Sequence, residues 1–404
     1  MEFLGFDTLV SADESAFVFV ATGPAAHLER LGVAVDRLRR FSGARILAVT
    51  DRKRNRAPLR DVEVVDAPTP PELTDRQAAM LLKTSLHEIV DARVPCCYLD
   101  TDVLAVRPGV EGVFGQPRGP VGLCPDHCRL DEFSPYAAGC GCLDGMRERT
   151  DAVEALVAAY SGHSRDWEGP GPGIAERLRR AAVRPVPPGI GGVLAPLVNR
   201  AVRILRLGGG RHHELLRRVE RELGVFYDHA NARWVDPNGR DIYECRCDHF
   251  PRAAREHWGV DMEPEWRHPN GGVFVFDERS GPFMDAWRAR VLDTFGNPGF
   301  SVRDQGALAA TAWEAGMENG PWMSQDYNCI LDSGNRELTH HGGLVFSTSL
   351  RGPRARPVFV HLFHDFGNPR WDVWRAVESA RPQRPRTTGG PTPPPKRRDK
   401  CCLP

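Results

Sequence analysis

The sequence predicts an α/β fold, a mostly parallel central sheet flanked by helices, carrying a large mixed insertion. Three observations point there. Short apolar runs rich in β-branched and aromatic residues alternate with amphipathic helical stretches over residues 16–99. A similar alternation returns in the last third of the chain. Between them, residues 151–262 mix helical patterns with Pro/Gly-rich stretches and read as an insertion.

The elements follow in order. Ala16-Phe-Val-Phe-Val20 is a continuous apolar run stopped by Thr22-Gly23-Pro24, as suits a strand covered on both faces. Leu28, Leu31, Val35 and Leu38 recur at helical spacing and stop near Gly43. Ile46–Val49 and Val62–Val65 read as buried strands. Thr74 and Gln77 form a capping box ahead of a helix with Ala78, Leu82, Leu86 and Ile89 or Val90 inward. Cys97-Tyr98-Leu99 is the next strand, and strand–helix alternation of this kind implies parallel pairing. In the insertion, Val153–Tyr160 and Leu215–Leu223 are helical, and Glu168–Gly173 is Pro/Gly-rich. Phe226-Tyr227 and Arg233-Trp234-Val235 suggest a hairpin with Asp236-Pro-Asn-Gly239 as its turn signal. Val273-Phe-Val-Phe276 is a buried strand, and Ser280 caps a helix with Phe283, Trp287 and Val291 inward. Asp304 starts another helix, and Val358-Phe-Val360 is a late strand. The expected organisation is one catalytic domain over 1–378, with 151–262 inserted, and a disordered Pro/Arg-rich tail over 379–404.

Composition narrows the function classes. The chain of 404 residues balances 53 basic against 53 acidic residues, which argues against nucleic acid or an anionic membrane surface as a bulk partner. Apolar residues make up 41% and charged residues 26%, the balance of a globular protein. No apolar run approaches the ~20 residues of a membrane span. The start, MEFLGFDTLVSADESAF, carries acids where a signal peptide carries positive charge, and eleven cysteines without regular spacing favour free thiols. The expectation is a soluble, cytoplasmic, enzyme-sized protein.

The sharpest chemical signal is Tyr98-Leu-Asp100-Thr-Asp102-Val. If the segment stays extended, Asp100 and Asp102 project to one side at the carboxyl edge of a buried strand. Two carboxylates there need a cation or hydrogen bonds, and a divalent ion bridging them to a diphosphate would supply compensation. The plain alternative is a strand ending in a polar turn.

Lys83 on a helix, followed by a strand into Leu99-Asp100-Thr-Asp102-Val, resembles nucleotide-sugar glycosyltransferases of the GT-A fold. It is most similar to glycosyltransferase family eight, the glycogenin- and galactosyltransferase-like enzymes. Further motifs appear in that family's order. His268-Pro-Asn270-Gly271-Gly272-Val-Phe-Val-Phe276 resembles its Asn-x-Gly strand, and Arg303-Asp304-Gln305-Gly-Ala-Leu308 its Asp-Gln-x-x-Leu helix start. Ser324-Gln-Asp-Tyr327-Asn328 is similar to the segment that follows, and Val358-Phe-Val-His361-Leu-Phe-His364-Asp-Phe-Gly367 to the late strand with its histidine ligand. The resemblance covers Ala16–Thr150 and Trp266–Trp374.

The resemblance implies a sugar moved from a nucleoside-diphosphate donor, a UDP-sugar foremost, to an acceptor that is a glycan, a small molecule or a protein. It also implies retention of configuration. Mn²⁺ or Mg²⁺ would sit on Asp100, Asp102 and one of His361 or His364, imidazole favouring Mn²⁺. The base would lie near Ala21, Thr22 and Gly23, with Lys83, Asn270, Gly271 and Gly272 facing the donor. Asp304 would bind sugar hydroxyls, and Gln305 would lie near the anomeric carbon. Each also has a plain reading: Ala21–Gly23 as an ordinary turn, Lys83 as solvated surface, Asn270 as a turn residue, Asp304 as a helix cap.

Two features stand apart. Cys124, His127, Cys128, Cys140 and Cys142, with Cys245, Cys247 and His249, fit structural Zn²⁺ only loosely by spacing. Lys396-Arg-Arg-Asp-Lys400 before Cys401-Cys-Leu-Pro404 superficially resembles a prenylation box, but reads better as a tail ending in thiols. Alternatives to the transferase are a sugar-nucleotide nucleotidyltransferase, for which Thr22–Ala26 lacks a basic residue, and a non-catalytic zinc- or nucleotide-binding protein on the same fold.

Overall fold

The computed structural model describes residues 10–11, 14–161, 211–229, 231, 233–332, 338–348 and 355–380. The Glu168–Gly173 stretch, the tail beyond Ala380 and Cys401-Cys402 lie outside them. Apolar residues bury both faces of a six-stranded sheet except at its edge strand Glu63–Asp66. There Val65 alone is buried and Glu63 and Asp66 are exposed, so the buried strand expected over Val62–Val65 is a half-solvated edge. The sheet's strands are β1 (Ala16–Val20), β2 (Arg45–Thr50), β3 (Glu63–Asp66), β4 (Cys96–Leu99), β6 (Gly122–Pro125) and β9 (Pro269–Phe276), in the order β3-β2-β1-β4-β9-β6. Val18 and Val20 point to one core; Phe17 and Phe19 point to the other.

The first four of these strands pair in parallel, with Phe17 opposite both Ile46 and Cys97. Strand β9 is antiparallel to both neighbours, with Val273 opposite Leu99, so parallel pairing holds for the first half and not for the late strand. A register shift between Asn270 and Phe274 breaks its ladder with β6. A second, three-stranded sheet packs β10 (Cys329–Leu331) and β5 (Val103–Ala105) on either side of β11 (Phe359–Leu362), placing His361 opposite Val103.

Helix α1 (Ala25–Leu38) covers one face. Helices α2 (Asp75–Thr84), α7 (Gly281–Thr294) and α8 (Asp304–Glu314) cover the other. The expected capping box is present: the Gln77 amide nitrogen donates to Thr74 Oγ1 at 3.2 Å, and Thr74 N donates to Gln77 Oε1 at 2.9 Å. The apolar face continues past Ser85 only as a separate short turn, Leu86–Ile89. Ser280 does precede α7, but its hydroxyl donates to Pro120 O instead of capping; a capping serine must turn its oxygen back onto the first-turn N–H groups.

Residues 151–161 continue a helix, α4 (Cys142–Ser161), that packs with α5 (Arg211–Leu223) around a small core of Val153, Leu215, Val219, Val225 and Ile242. The hairpin exists, pairing β7 (Phe226–Asp228) with β8 (Arg233–Val235), but Asp236–Gly239 is not its turn. That turn follows β8 and returns the chain to a bridge between Val235 and Asp241, with Asp236 N donating to Arg240 O. The strands are joined through 229–232. Helices α3 (Leu130–Ala137) and α6 (His249–Trp258) complete this part. No helix among the described residues is long and apolar enough to cross a membrane.

Candidate functional site

Strand β4 ends at Leu99, and the chain turns at once. Val103 N donates to Asp100 O at 3.0 Å, so Asp100 to Asp102 is a tight turn and not the extended segment expected. The carboxylates nevertheless converge, because Asp100 N is held by Gly272 O at 2.8 Å and Asp102 O accepts from Leu362 N at 3.0 Å. The turn is thus tied to both sheets. One ligand atom each of Asp100, Asp102 and His361 lies within 4.8 Å of the others. His361 Nε2 is 3.3 Å from Asp102 Oδ1. His364 is turned elsewhere: its ring bonds Asp332 at 2.8 Å and is largely exposed, so of the two histidines His361 is the one beside the Asp pair.

Lys83 is neither solvated nor free to roam. Its side chain is 9% exposed, and its ammonium lies 3.2 Å from Asp100 Oδ1 and 2.7 Å from Asp304 Oδ2, over the Tyr98 ring. Tyr98 Oη donates to Asp100 as well. Asp304 opens α8 without capping it; its side chain goes to Lys83. Three carboxylates against one ammonium leave an excess of negative charge at the mouth of the site. Burial pushes the Asp100 carboxyl up, and Asp102 and Asp304 add to this against the pull of Lys83. Burial also acts on Asp102, but His361 outweighs it and holds that carboxyl below its ordinary value.

A chain of side-chain amides fixes which nitrogen of His361 faces the carboxylates. Asn270 Nδ2 donates to Asp126 Oδ2 at 2.8 Å, and Asn270 Oδ1 accepts from Gly272 N and from Asn328 Nδ2, each at 2.9 Å. A carboxylate only accepts and a backbone N–H only donates, so both amides have one orientation. Asn328 Oδ1 is then left to accept from His361 Nδ1 at 3.2 Å. Nε2 of His361 is therefore the nitrogen that faces the Asp pair, 3.3 Å from Asp102 Oδ1. Burial lowers the ring, but Asp102 outweighs this and keeps Nε2 protonated, a proton that a cation would replace, with Nδ1 oriented behind it. Burial raises the Asp126 carboxyl, yet His127, 2.8 Å away, outweighs it and holds Asp126 well below the usual range. Burial lowers His127, but Asp126 and Asp332 reverse this and lift it to about 10.

The other expected residues divide. Gly272 is needed here: an added Cβ would lie 2.3 Å from His361 Cε1. Gly271 N donates to Gln305 Oε1 at 3.0 Å, while Gln305 Nε2 reaches His268 Nδ1 at 3.1 Å and also Pro269 O. Gln305 thereby braces the irregular start of β9. Ala21 is buried, Thr22 Oγ1 donates to Asp51 O, and Gly23 takes φ +88° where a Cβ would strike Asp75; the turn geometry accounts for these three. His27 and Arg30 of α1, just beyond, lie near enough to Asp102 for their charges to interact with it.

Asp126 and Asp332 carried no signal of their own in the sequence, Tyr98 and Asn328 stood only inside motifs, and His127 stood only among the loose zinc candidates. Asp126 could have been found from the register that sets Cys124 opposite Asn270, had the antiparallel pairing been foreseen.

No family model matches the chain, and comparison with curated protein sequences gives no match. Among solved structures it is similar to the apo structure of the bifunctional glycosyltransferase WbbM, at 8% identity and a TM-score of 0.43. That similarity covers 92% of this chain and 50% of the other, so the chain spans about half the length of that protein. It is also similar to apo mouse xyloside xylosyltransferase 1, at 11% identity and a TM-score of 0.37, over 88% of this chain and 99% of that one. Apo GlyE of Streptococcus pneumoniae matches 28% of this chain and 29% of its own at 16% identity, with a TM-score of 0.21. Resemblance at this level carries neither activity nor residue roles across.

Proposed function

We propose that the chain is a metal-dependent glycosyltransferase on a GT-A-like fold, moving a sugar from a nucleoside-diphosphate donor, a UDP-sugar foremost, with retention. The observation that carries this is the convergence of Asp100, Asp102 and His361, with the imidazole Nε2 aimed at the two carboxylates. Two carboxylates and an imidazole suit Mn²⁺, and Mg²⁺ less well. Asp100, Asp102 and His361 would hold the ion, which supplies Lewis-acid neutralisation of the leaving diphosphate.

The chain's own residues would do the rest. Asp102, held anionic by His361, and Asp100, raised by burial, present a charge that a cation satisfies. Asp304 would accept donor hydroxyls with the oxygen not engaged by Lys83. Lys83 fixes Asp100 and Asp304 relative to each other. Asn270 and Gln305 hold the start of β9 so that Gly271 and Gly272 offer backbone to the donor without side-chain bulk. The acceptor hydroxyl would lose its proton to the leaving phosphate oxygen on the same face. Residues 151–262, inserted in a single domain over 1–378, would choose the acceptor.

Nucleotide release from UDP- and GDP-sugars with Mn²⁺, on wild type and Asp102→Ala, tests this. Turnover abolished by the substitution supports it. Turnover that survives, or pyrophosphate-driven formation of a nucleoside triphosphate, overturns it, the second in favour of a nucleotidyltransferase. Proton NMR of the fresh product's anomeric configuration tests retention separately.

A further inference from the structure

Away from this site, four metal-ligating side chains meet where the chain leaves the sheet and where it comes back. Cys140 follows α3, and Cys142 is the first residue of α4. Cys247 precedes α6, and His249 is its first residue. Their ligand atoms all lie within 4.8 Å of one another, although Cys140 and Cys247, like Cys142 and His249, are 107 positions apart in sequence. Cys140 Sγ is 3.9 Å from Cys247 Sγ, and Cys142 Sγ is 3.6 Å from His249 Nδ1.

These separations have a chemical meaning. Zinc bonds of about 2.3 Å to sulfur and about 2.0–2.1 Å to nitrogen, at tetrahedral angles, put two sulfurs about 3.8 Å apart and sulfur about 3.6 Å from nitrogen. A disulfide would require about 2.05 Å between sulfurs. Three soft sulfurs and one imidazole make a complete tetrahedral donor set that favours zinc over Mn²⁺ or Mg²⁺.

We propose that Cys140, Cys142, Cys247 and His249 form a structural zinc site that clamps the neck of the inserted region to the sheet. Cys-x-Cys and Cys-x-His are unusual ligand pairs by spacing. The two arms are brought together by the packing of α3 against α6, not by the spacing.

The surroundings fit that role. Cys247 N donates to Asp131 O at 3.0 Å, and Arg246 bonds Glu132 at 2.7 Å, so the returning arm is sewn to α3. Ser134 Oγ accepts from Phe250 N at 2.8 Å and lies 3.1 Å from Cys247 Sγ, as an outer hydrogen-bonding partner would. Phe250, next after His249, packs under Gly306, where a Cβ would lie 2.9 Å from its ring. The clamp therefore supports the helix that carries Asp304 and Gln305.

Elemental analysis of the full-length chain, purified under reducing conditions and passed over chelating resin, decides the matter. The wild type should hold about one zinc per chain, and Cys142→Ser/Cys247→Ser should hold almost none. Cys245→Ser, which removes the thiol outside the cluster, should keep the zinc, and so should Asp102→Ala, separating this site from the proposed catalytic one. Should the double variant not fold, cobalt exchanged into the wild type reads the donor set directly. Thiolate charge-transfer bands with intense tetrahedral visible bands are expected. Wild type without zinc, zinc retained by the double variant, a weak octahedral cobalt spectrum, or a native Cys140–Cys247 disulfide would each overturn the proposal.

Discussion

The molecule gathers metal-ligating side chains at two places built on opposite principles. At the sheet edge the donors are mainly oxygen, supported by Lys83, Tyr98 and a run of amides, and the carboxylates remain partly open to solvent, Asp100 at 31% and Asp102 at 19%. At the neck the donors are mainly sulfur, and four protein atoms would complete a tetrahedron around the proposed ion by themselves. An incomplete hard set leaves room for a substrate's oxygens; a complete soft set leaves none. The contrast teaches that ligand count and softness, more than the presence of a cluster, separate the site proposed to do chemistry from the one proposed to hold the chain together.

The comparison is broken most directly at Asp102. Asp102→Ala should lower Mn²⁺-dependent nucleotide release by about 100-fold or more, measured as kcat, since it removes charge stabilisation at the leaving group. The protein should keep its fold. Next in size is Lys83→Met, which strands Asp100 and Asp304 beside each other. Urea unfolding should show a loss of roughly 2–4 kcal/mol, less than for a fully buried pair because both carboxylates reach solvent. Added Mn²⁺ should restore part of it.

Asn328→Ala removes the acceptor that orients His361. A Mn²⁺ titration of activity should show affinity weakened about 10- to 100-fold, with kcat at saturating metal changed less. The smallest effect is a pH dependence. His127 is lifted from 6.5 to about 10 by its pairing, so its stabilisation is full below about 6.5 and is lost as the pH rises through about 10. The melting temperature should decline over that interval, and His127→Asn should flatten the decline.

Much of this was legible in the sequence, for local reasons. Continuous apolar runs announced β1, β2 and β4, because a strand buried on both faces has no polar side to show. Thr74 and Gln77 announced α2, because a capping box is a contact between residues three apart. What escaped depended on distant partners. Asp100 and Asp102 were expected to converge through an extended strand; they converge through a turn tied to Gly272 and Leu362, residues far away in the chain. Lys83 could be read as facing a donor or as solvated surface, and its pairing was invisible because its two anionic partners lie on separate elements. Asp236–Gly239 is a genuine turn, but its sequence does not say which strands it joins. Cysteine spacing undervalued the neck because its two arms approach only in the fold.

The place of β9 in the sheet has a consequence for how the protein is made. Its neighbours, β4 and β6, both leave the ribosome early, yet the strand that belongs between them ends only at Phe276. Until it emerges, two apolar strand edges have nothing to pair with, the condition in which nascent chains stick to one another. Slowing translation ahead of residue 269, or withdrawing chaperones, should lower soluble yield more than any loss of stability in the finished protein would explain.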